Sequence, residues 1–555
     1  MTTAPPRRRG ASLVAAGIGL SRIAGLVREV LLGAALGATP AADALRAAIR
    51  VPNLLQNLLG EGVLSASFIP VHARLLEEGR RDEARLVAAG VLGLLSVVAG
   101  LVALVIVVLA RPITAVLAVG FSGERFELTV DLMRIVAVGT AVLVPSAWCL
   151  GVLNSHRRFF VSYVAPVAWN LVQIAVLALV VLRSWTPQGA AEAVAWSLIA
   201  AGVAQLLVQL PAVIRVSGPI RPHLDHRLAG VRETMRRFVP AVAGRGSAQL
   251  AAFVDLWLAS LLAVGAVAAI GYAQILYLLP ISLFAMSVAA AELPELSRLG
   301  REGTDELVDR TRTAIRRILL FVTFTAVAYL LAGRTIVAVL FERFRFDSDL
   351  SIVVGFVLGA FALALVPTAC SRLLQNALYA LGDVSGPARI SFMRLVIGAV
   401  TGGALMLSFD RLFLLDGEIT GFLELGEPLG LLPESVREDP ELPLRFGAVG
   451  LALGSAIAAW FELVMLRQRL TWHLGRVQLL GRQGWAFVAA GLTAALMIGA
   501  ALFATRGMPE LVRAVAALAP AGVAYLVILR ALGIGETADV IDPLRRIMGR
   551  VGIRR

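Results

Sequence analysis

Residues 21–70 read SRIAGLVREVLLGAALGATPAADALRAAIRVPNLLQNLLGEGVLSASFIP, and this stretch decides the fold. It is apolar over most of its length, yet it contains seven charges: Arg22, Arg28, Glu29, Asp43, Arg46, Arg50 and Glu61. A charge near the midplane of a spanning helix costs about 2.5–3.5 kcal/mol, whereas each Leu, Ile or Val returns only about 0.3–0.6 kcal/mol. Such helices are stable in a membrane if their charged face borders a wet cavity, and we expect that cavity here.

Composition extends this conclusion to the whole chain. Of 555 residues, 58% are hydrophobic and 16% are charged, and the mean hydropathy is +0.82. Soluble globular proteins are about 45–50% apolar and about 25% charged, so the sequence predicts an all-α polytopic membrane protein. Its apolar runs predict about 14 transmembrane helices, at about 12–36, 40–58, 85–110, 128–154, 161–183, 191–214, 240–263, 267–291, 316–340, 351–379, 388–408, 446–466, 484–504 and 511–533.

Arginines predict the orientation of these spans, because cytoplasmic connections carry the excess of basic residues. They recur in every second connection and at the end of the chain, at 72–85, 156–158, 215–237, 298–317, 467–482 and 545–555. Most connections between these have almost no charge, and the longest of them, 409–445, contains nine acids against three arginines. An even number of spans with both termini in the cytoplasm satisfies this pattern.

The motifs of enzymes and ATP-driven pumps are missing from the sequence. The five histidines lie in predicted loops without metal-ligand spacing, and Cys149 and Cys370 lie in apolar segments as small buried side chains. The chain contains no lysine, so it lacks the Walker-type phosphate loop. The net charge of +13 fits membrane topology better than nucleic-acid binding. We expect a secondary carrier or channel, with no enzymatic activity, no cofactor and no nucleic-acid partner.

One face of the first predicted span is polar. It comprises positions i, i+4, i+7 and i+8 of a helix, namely Ser21, Gly25, Arg28 and Glu29, with Arg22 at its edge. Guanidinium groups suit phosphate oxygens, so one interpretation is that this face binds an anionic headgroup. The other is that Arg28 and Glu29 pair with charges of the second span, such as Asp43, and lock the two helices together. A gate is an ion pair that opens, so both can hold, and we favour a functional face.

The second and seventh predicted spans also carry charges. Arg46 and Arg50 share a helix face at i and i+4, although either one could extend to the membrane surface instead. Pro52 is predicted to kink the second span, which membrane interiors allow where water or neighbours satisfy the freed backbone groups. In the seventh span, Arg245 and Asp255 lie ten residues apart. Asp255 is predicted either to bind a coupling cation, Na⁺ or H⁺, or to pair with a neighbouring arginine.

Several motifs resemble those of one known family. SRIAGLVRE at 21–29 and ADALRAAIRVPNLLQNLLGEGVLSASFIPV at 42–71 resemble the opening of the MurJ (MviN) lipid II flippases. Further blocks in matching order are GVLNSHRRFFVSYVAPVAWN (151–170), QLAAFVDLWLAS (249–260), LPISLFAMSVAAAELPELSR (279–298), FERFRFDSD (341–349) and YALGDVSGPARI (379–390). The resemblance covers nearly the whole chain.

The resemblance implies the fold of the multidrug/oligosaccharidyl-lipid/polysaccharide exporter superfamily, with two six-helix lobes around a central cationic cavity and two C-terminal helices. The implied division is an N-terminal lobe (1–214), a basic cytoplasmic linker (215–239), a C-terminal lobe (240–466) with the acidic insert 409–445, a helix pair (467–534) and a basic tail (535–555). It also implies transport of lipid II from the inner to the outer leaflet of the bacterial cytoplasmic membrane by alternating access.

The resemblance implies that family positions for the cavity and gate map onto Ser21, Arg22, Arg28, Asp43 and Glu61, with Glu29 at a position that is acidic in relatives. We expect Ser21, Arg22 and Arg28, together with Arg50 of the second span, to bind substrate. Gating or coupling is expected of Glu29, Asp43 and Glu61. Asp255 matches a carboxylate of sodium-binding relatives. Membrane potential or a cation bound at Asp255 would reset the cycle, and membrane lipids and cell-wall synthesis proteins are the expected partners.

Two cavity arginines of well-studied relatives are absent, because Gln56 and Ile275 stand at their positions. We hypothesise that Arg245 partly replaces the missing cation of the eighth span. The two neutral residues favour an alternative substrate, another polyprenyl-linked glycan or an amphipathic molecule. A second alternative is a scaffold of the cell-wall assembly complex, without transport, that recruits partners through the loops 215–237 and 409–445.

Overall fold

The structure is a computed structural model that describes residues 7–59, 61–225, 227–302, 304–415, 417–421, 430–475 and 481–538. The helices are α1 (Arg7–Leu36), α2 (Pro40–Leu59), α3 (Glu61–Glu77), α4 (Arg81–Val108), α5 (Ala110–Leu117), α6 (Gly123–Ser155), α7 (Phe159–Leu182), α8 (Pro187–Ser217), α9 (Ala229–Ser260), α10 (Ala266–Pro280), α11 (Met286–Glu302), α12 (Thr304–Phe341), α13 (Ser348–Ala380), α14 (Ser385–Phe409), α15 (Glu434–Arg437), α16 (Gly447–Leu474), α17 (Gly484–Ala504) and α18 (Glu510–Ala531). A π-helical turn, Ile281–Ala285, joins α10 to α11, and β1 (Phe413–Leu415) pairs antiparallel with β2 (Glu418–Thr420).

Twelve helical stretches in the described residues are long and apolar enough to cross a membrane by length and composition. They confirm the all-α polytopic class and coincide with twelve of the fourteen predicted spans. The other two predicted spans, at about 12–36 and 240–263, fall on α1 and α9, which are helices but are not among these twelve. The acidic insert 409–445 contains the β1–β2 hairpin and α15, although residues 416 and 422–429 lie outside the described part, as does 539–555 of the tail.

The chain forms two compact units, and the first comprises Met1–Ala268, Arg343–Phe346 and Pro433–Leu442. In this unit α6 packs against α2, α4 and α8, and α1 packs against α7. Trp148 on α6 and Phe68 on α3 are fully buried in its apolar core. The Trp148 indole donates a hydrogen bond to the carbonyl oxygen of Ala88 at 2.9 Å, so its polar group is satisfied inside the core.

The short segment Arg343–Phe346 contacts the end of α1. Nη1 of Arg345 donates to the carbonyl oxygens of Ala35 at 3.0 Å and Trp185 at 2.9 Å. Gly37 has φ +56°, and a Cβ there would lie 2.5 Å from the carbonyl oxygen of Arg345. Only glycine combines this backbone conformation with so close an approach.

The second unit comprises Ala269–Glu342, Asp347–Leu432 and Pro443–Arg555. In this unit α13 packs against α11, α12 and α16, and the α17–α18 pair packs against α12. Helices α14 and α16 approach closely, because a Cβ at Gly454 would lie 2.2 Å from Cα of Gly402. The Tyr525 hydroxyl donates to the carbonyl oxygen of Leu319 at 3.2 Å and so fixes α18 on α12.

A buried carboxylate joins three helices of the second unit. Glu462 on α16 is 1% exposed. It accepts hydrogen bonds from Gln375 of α13 at 3.1 Å, from Ser391 of α14 at 3.1 Å and from Arg394 of α14 at 2.6 Å. These contacts satisfy a charge that would otherwise be costly inside a membrane, and they give Arg394 a partner within the protein.

A second carboxylate, Asp383, lies in the turn between α13 and α14. It accepts hydrogen bonds from Nε of Arg469 at 2.5 Å and from the backbone amide of Gly386 at 3.0 Å. It also contacts Nε2 of His473 at 3.0 Å. The hydrogen bond from Arg469 holds the pKa of Asp383 well below its usual value. Asp383 thus anchors the start of α14 to the end of α16.

Candidate functional site

Glu29 joins the two charged helices of the opening stretch. Its Oε1 accepts from Nη2 of Arg28 at 2.6 Å, and its Oε2 accepts from Nη2 of Arg46 on α2 at 2.9 Å. The Glu29 side chain is 8% exposed, whereas those of Arg28 and Arg46 are 27% and 19% exposed. Because one carboxylate serves two guanidinium groups, this triad keeps a net positive charge.

The rest of the polar face of α1 is more open. Ser21 and Gly25 are half-buried, and Arg22 is exposed. Nδ2 of Asn170 on α7 donates to the backbone oxygen of Ser21 at 3.5 Å, and a Cβ at Gly25 would meet no atom within 4 Å. Arg22 and Arg28 are therefore both accessible on α1.

Arg50 lies one turn after Arg46 on α2 and is half-buried. Asp255 lies on α9, which packs against α2. The two alternatives predicted for Asp255, a neighbouring arginine and a coupling cation, both stay predictions. Among the described residues, no three His, Cys, Asp or Glu side chains are grouped as a metal site.

Asp43 is fully buried and binds the start of α10. Its Oδ2 accepts from the backbone amide of Gly265 and its Oδ1 from that of Ala268, each at 2.7 Å. Since α10 begins at Ala266, these are amides that lack partners within the helix. A carboxylate at this end is also favoured by the helix dipole. Asp43 is thus an N-terminal cap supplied by a different helix, and it is not paired with Arg28 or Glu29.

Arg125, at the start of α6, balances the charge of Asp43. Its Nη1 donates to Oδ2 of Asp43 at 3.2 Å, and its Nη2 donates to Oε1 of Glu438 at 2.5 Å. The Arg125 side chain is 1% exposed, and its guanidinium lies 4.0 Å from the ring centroid of Phe121. One buried arginine therefore holds two carboxylates and stacks on an aromatic ring.

The remaining predicted site residues are placed as follows. The side chains of Glu61 and Arg245, on α3 and α9, lie outside the described part of the structure. Gln56 is exposed near the end of α2, and Ile275 is half-buried in α10.

Sequence reasoning missed Arg125 and Glu438, which complete the Asp43 cluster. Both lie next to other charges, in GERFE and VREDP, and such runs are typical of solvated helix ends. The two residues are 313 positions apart, so no local spacing connects them. The excess of acids in 409–445 was used for the orientation of the spans and did not indicate which cation any of these acids would meet.

Comparison with known proteins gives consistent family matches. The profile of the family "Lipid II flippase MurJ" matches residues 32–414. A probable lipid II flippase MurJ of Rhizobium tropici is 33% identical over 384 residues, which cover 68% of this chain and 72% of the relative. The lipid II flippase MurJ of Burkholderia cenocepacia is 29% identical over 385 residues, covering 68% of this chain and 74% of that protein.

Solved structures share the fold. A lipid II flippase MurJ in an inward closed conformation aligns with a TM-score of 0.69 over 93% of this chain and 97% of that chain, at 18% identity. An inward-facing multidrug resistance MATE family transporter of the MOP superfamily aligns with a TM-score of 0.59 over 81% of this chain and 94% of that chain, at 17% identity. At these identities the matches establish the fold alone.

Proposed function

Because this chain belongs to the MurJ family of lipid II flippases, we propose that it flips lipid II, undecaprenyl-pyrophosphoryl disaccharide-pentapeptide, from the inner to the outer leaflet by alternating access. The chain is an integral membrane protein. We assign it to the bacterial cytoplasmic (inner) membrane with both termini in the cytoplasm. It acts as a carrier and changes no covalent bond of its substrate.

The observation that carries the site assignment is the sharing of Glu29 between Arg28 and Arg46. A pyrophosphate diester is anionic, and planar guanidinium groups bind its oxygens bidentately. Arg28 is the more exposed of the two arginines. It exchanges Glu29 for the pyrophosphate at little cost, because Glu29 keeps Arg46 as a partner. Arg22 and the Ser21 hydroxyl add donors on the same side of α1.

The other charged positions have supporting roles in this proposal. Arg50 and Arg245 add positive charge for the substrate, and Asp43 and Glu61 act in gating. Asp255 either binds the coupling cation, Na⁺ or H⁺, or neutralises an arginine. Membrane potential or a cation bound at Asp255 resets the cycle, and one charge moved through 100 mV yields about 2.3 kcal/mol. Besides lipid II, we expect contacts with membrane lipids and cell-wall synthesis proteins.

A related substrate is the second candidate. Gln56 is exposed and neutral where well-studied relatives carry an arginine, and this favours a glycan on a polyprenyl carrier other than lipid II. Competition between lipid II and a different undecaprenyl-linked glycan for the purified protein separates the two. Preferential binding of the second glycan would contradict lipid II as the substrate.

Complementation of a flippase-depleted bacterium tests the proposal. The wild-type chain is expected to restore growth and lipid II in the outer leaflet, and Arg28→Ala is expected to fail at equal expression. Arg134→Ala is the matched control, because Arg134 is 47% exposed and pairs with the exposed Asp131 on its own helix. Failure of the wild-type chain would contradict the function, and growth with Arg28→Ala would contradict the site.

A further inference from the structure

We propose that Arg125 and Glu438 are positioning residues for Asp43, and that they form a latch which opens in each transport cycle. The latch ties the segment Pro433–Leu442, within the acidic insert, to the helix ends that Asp43 holds together. This inference rests on the proposed function and adds a role for the insert, which no motif in the sequence assigns.

Three of the polar contacts that the segment makes within the described part of the first unit support this latch. Glu438 accepts from Arg125 at 2.5 Å. Nη1 of the preceding Arg437 donates to the carbonyl oxygen of Gly120 at 3.0 Å, just before α6. The backbone amide of Val264 donates to the carbonyl oxygen of Arg437 at 2.9 Å, just before α10. The segment therefore contacts the beginnings of the two helices that the Asp43 cluster connects.

The charges of the cluster explain why Glu438 affects Asp43. Arg125 is almost completely buried and divides its guanidinium between Asp43 and Glu438. The two hydrogen bonds from Gly265 and Ala268 are strongest to an ionised Asp43, and the Arg125 guanidinium offsets the cost of burying that charge. Glu438 fixes the guanidinium at the angle at which its other nitrogen reaches Asp43.

Chain connectivity explains why the latch has to open. The residues that flank the segment, Leu432 and Pro443, belong to the second unit. The segment connects α14 to α16, so it can follow movements of these helices only after Arg437 and Glu438 release their partners. A permanent tether at this place is therefore expected to stop alternating access, whereas a purely structural contact would tolerate one.

A reversible disulfide provides the test. The double variant Val264→Cys/Arg437→Cys places cysteines at two residues whose backbones are hydrogen-bonded, and the native cysteines are both buried. Flipping of lipid II is measured in proteoliposomes before oxidation, after oxidation and after reduction, with oxidised wild-type protein as the control. Oxidation of the double variant is expected to lower the rate at least tenfold, and reduction is expected to restore it. An unchanged rate at complete cross-linking would overturn the latch.

A second measurement does not depend on transport. Glu438→Gln is expected to raise amide exchange in the peptide 434–442 at least tenfold, whereas Glu441→Gln, an exposed acid of the same segment, is expected to leave it unchanged. Equal exchange in the two variants contradicts the latch even if the wild-type protein does not flip lipid II. Absence of flipping by the wild-type protein contradicts the proposed function instead, so the two failures are distinguishable.

Discussion

Replacement of Asp43 by asparagine is expected to loosen the start of α10. The variant keeps one amide oxygen as an acceptor, but its new amino group faces a backbone N–H that also needs an acceptor. Of the two 2.7 Å hydrogen bonds from Gly265 and Ala268, one is therefore lost. The ion pair with Arg125 at 3.2 Å is lost as well.

The size of the effect follows from burial. Removal of one partner from a buried ion pair costs about 3–5 kcal/mol. This loss corresponds to about 100–4,000-fold in the equilibrium for local opening. The lower end is expected, because Arg125 keeps Glu438 as a partner.

Hydrogen exchange of the peptide 261–270, followed by mass spectrometry, measures this opening. The control is Asp131→Asn, which makes the same chemical change in a side chain that is 65% exposed and pairs with Arg134 on its own helix. Exposed pairs contribute about 0–1 kcal/mol, and no exchange change is expected near α10. If Asp43→Asn exchanges within about twofold of Asp131→Asn, the capping role of Asp43 is refuted.

The remaining predictions concern the second unit. Glu462→Gln is expected to lower the free energy of unfolding by about 2–3 kcal/mol, since a buried carboxylate that accepts three hydrogen bonds becomes neutral. Its control is Glu295→Gln, in an exposed i,i+3 pair with Arg298, which is expected to change it little. Gly454→Ala is expected to lower the free energy of unfolding by about 1–3 kcal/mol through overpacking against α14. Its control is Gly499→Ala, where a Cβ meets no atom within 4 Å and no change is expected. Denaturation in detergent measures the free energy of unfolding of all four variants, and equal values for a variant and its control would contradict the packing described. Because the pKa of Asp383 is depressed from 3.8, the stabilisation by its ionised carboxylate is present above pH 3.8 and is lost as the pH falls below that value. Asp383→Asn is expected to weaken this fall of Tm in acid. If Tm depends on pH identically in the variant and the wild type, the role of Asp383 is contradicted.

The class and most spans followed from hydropathy because burial in lipid imposes long apolar runs that a sequence displays directly. The helix α1 was also predictable, because its polar positions repeat at helical spacing. The involvement of Glu29 with a charge of the second helix was also predictable, since both helices carry charges that need partners inside a membrane. The pairing itself, Glu29 with Arg46 rather than Arg28 with Asp43, depends on how the two helices pack, which hydropathy does not specify.

Long-range pairs were beyond sequence reasoning. Arg125 contacts Asp43 across 82 positions and Glu438 across 313, and a single sequence contains no information about such pairings. Arg125 lies between Glu124 and Glu127 in the sequence, and such charged neighbours are typical of a solvated helix end. Only the folded chain shows that this arginine turns inward onto Asp43.

Flipping of lipid II by the purified protein in proteoliposomes tests the central claim most directly. Fluorescent lipid II placed in one leaflet is expected to become accessible to an impermeant quencher on the other side with the wild-type chain and with Arg134→Ala. Arg28→Ala is expected to lower the rate to that of protein-free liposomes. A wild-type rate equal to that of protein-free liposomes, or an Arg28→Ala rate equal to that of the wild type, would contradict the account.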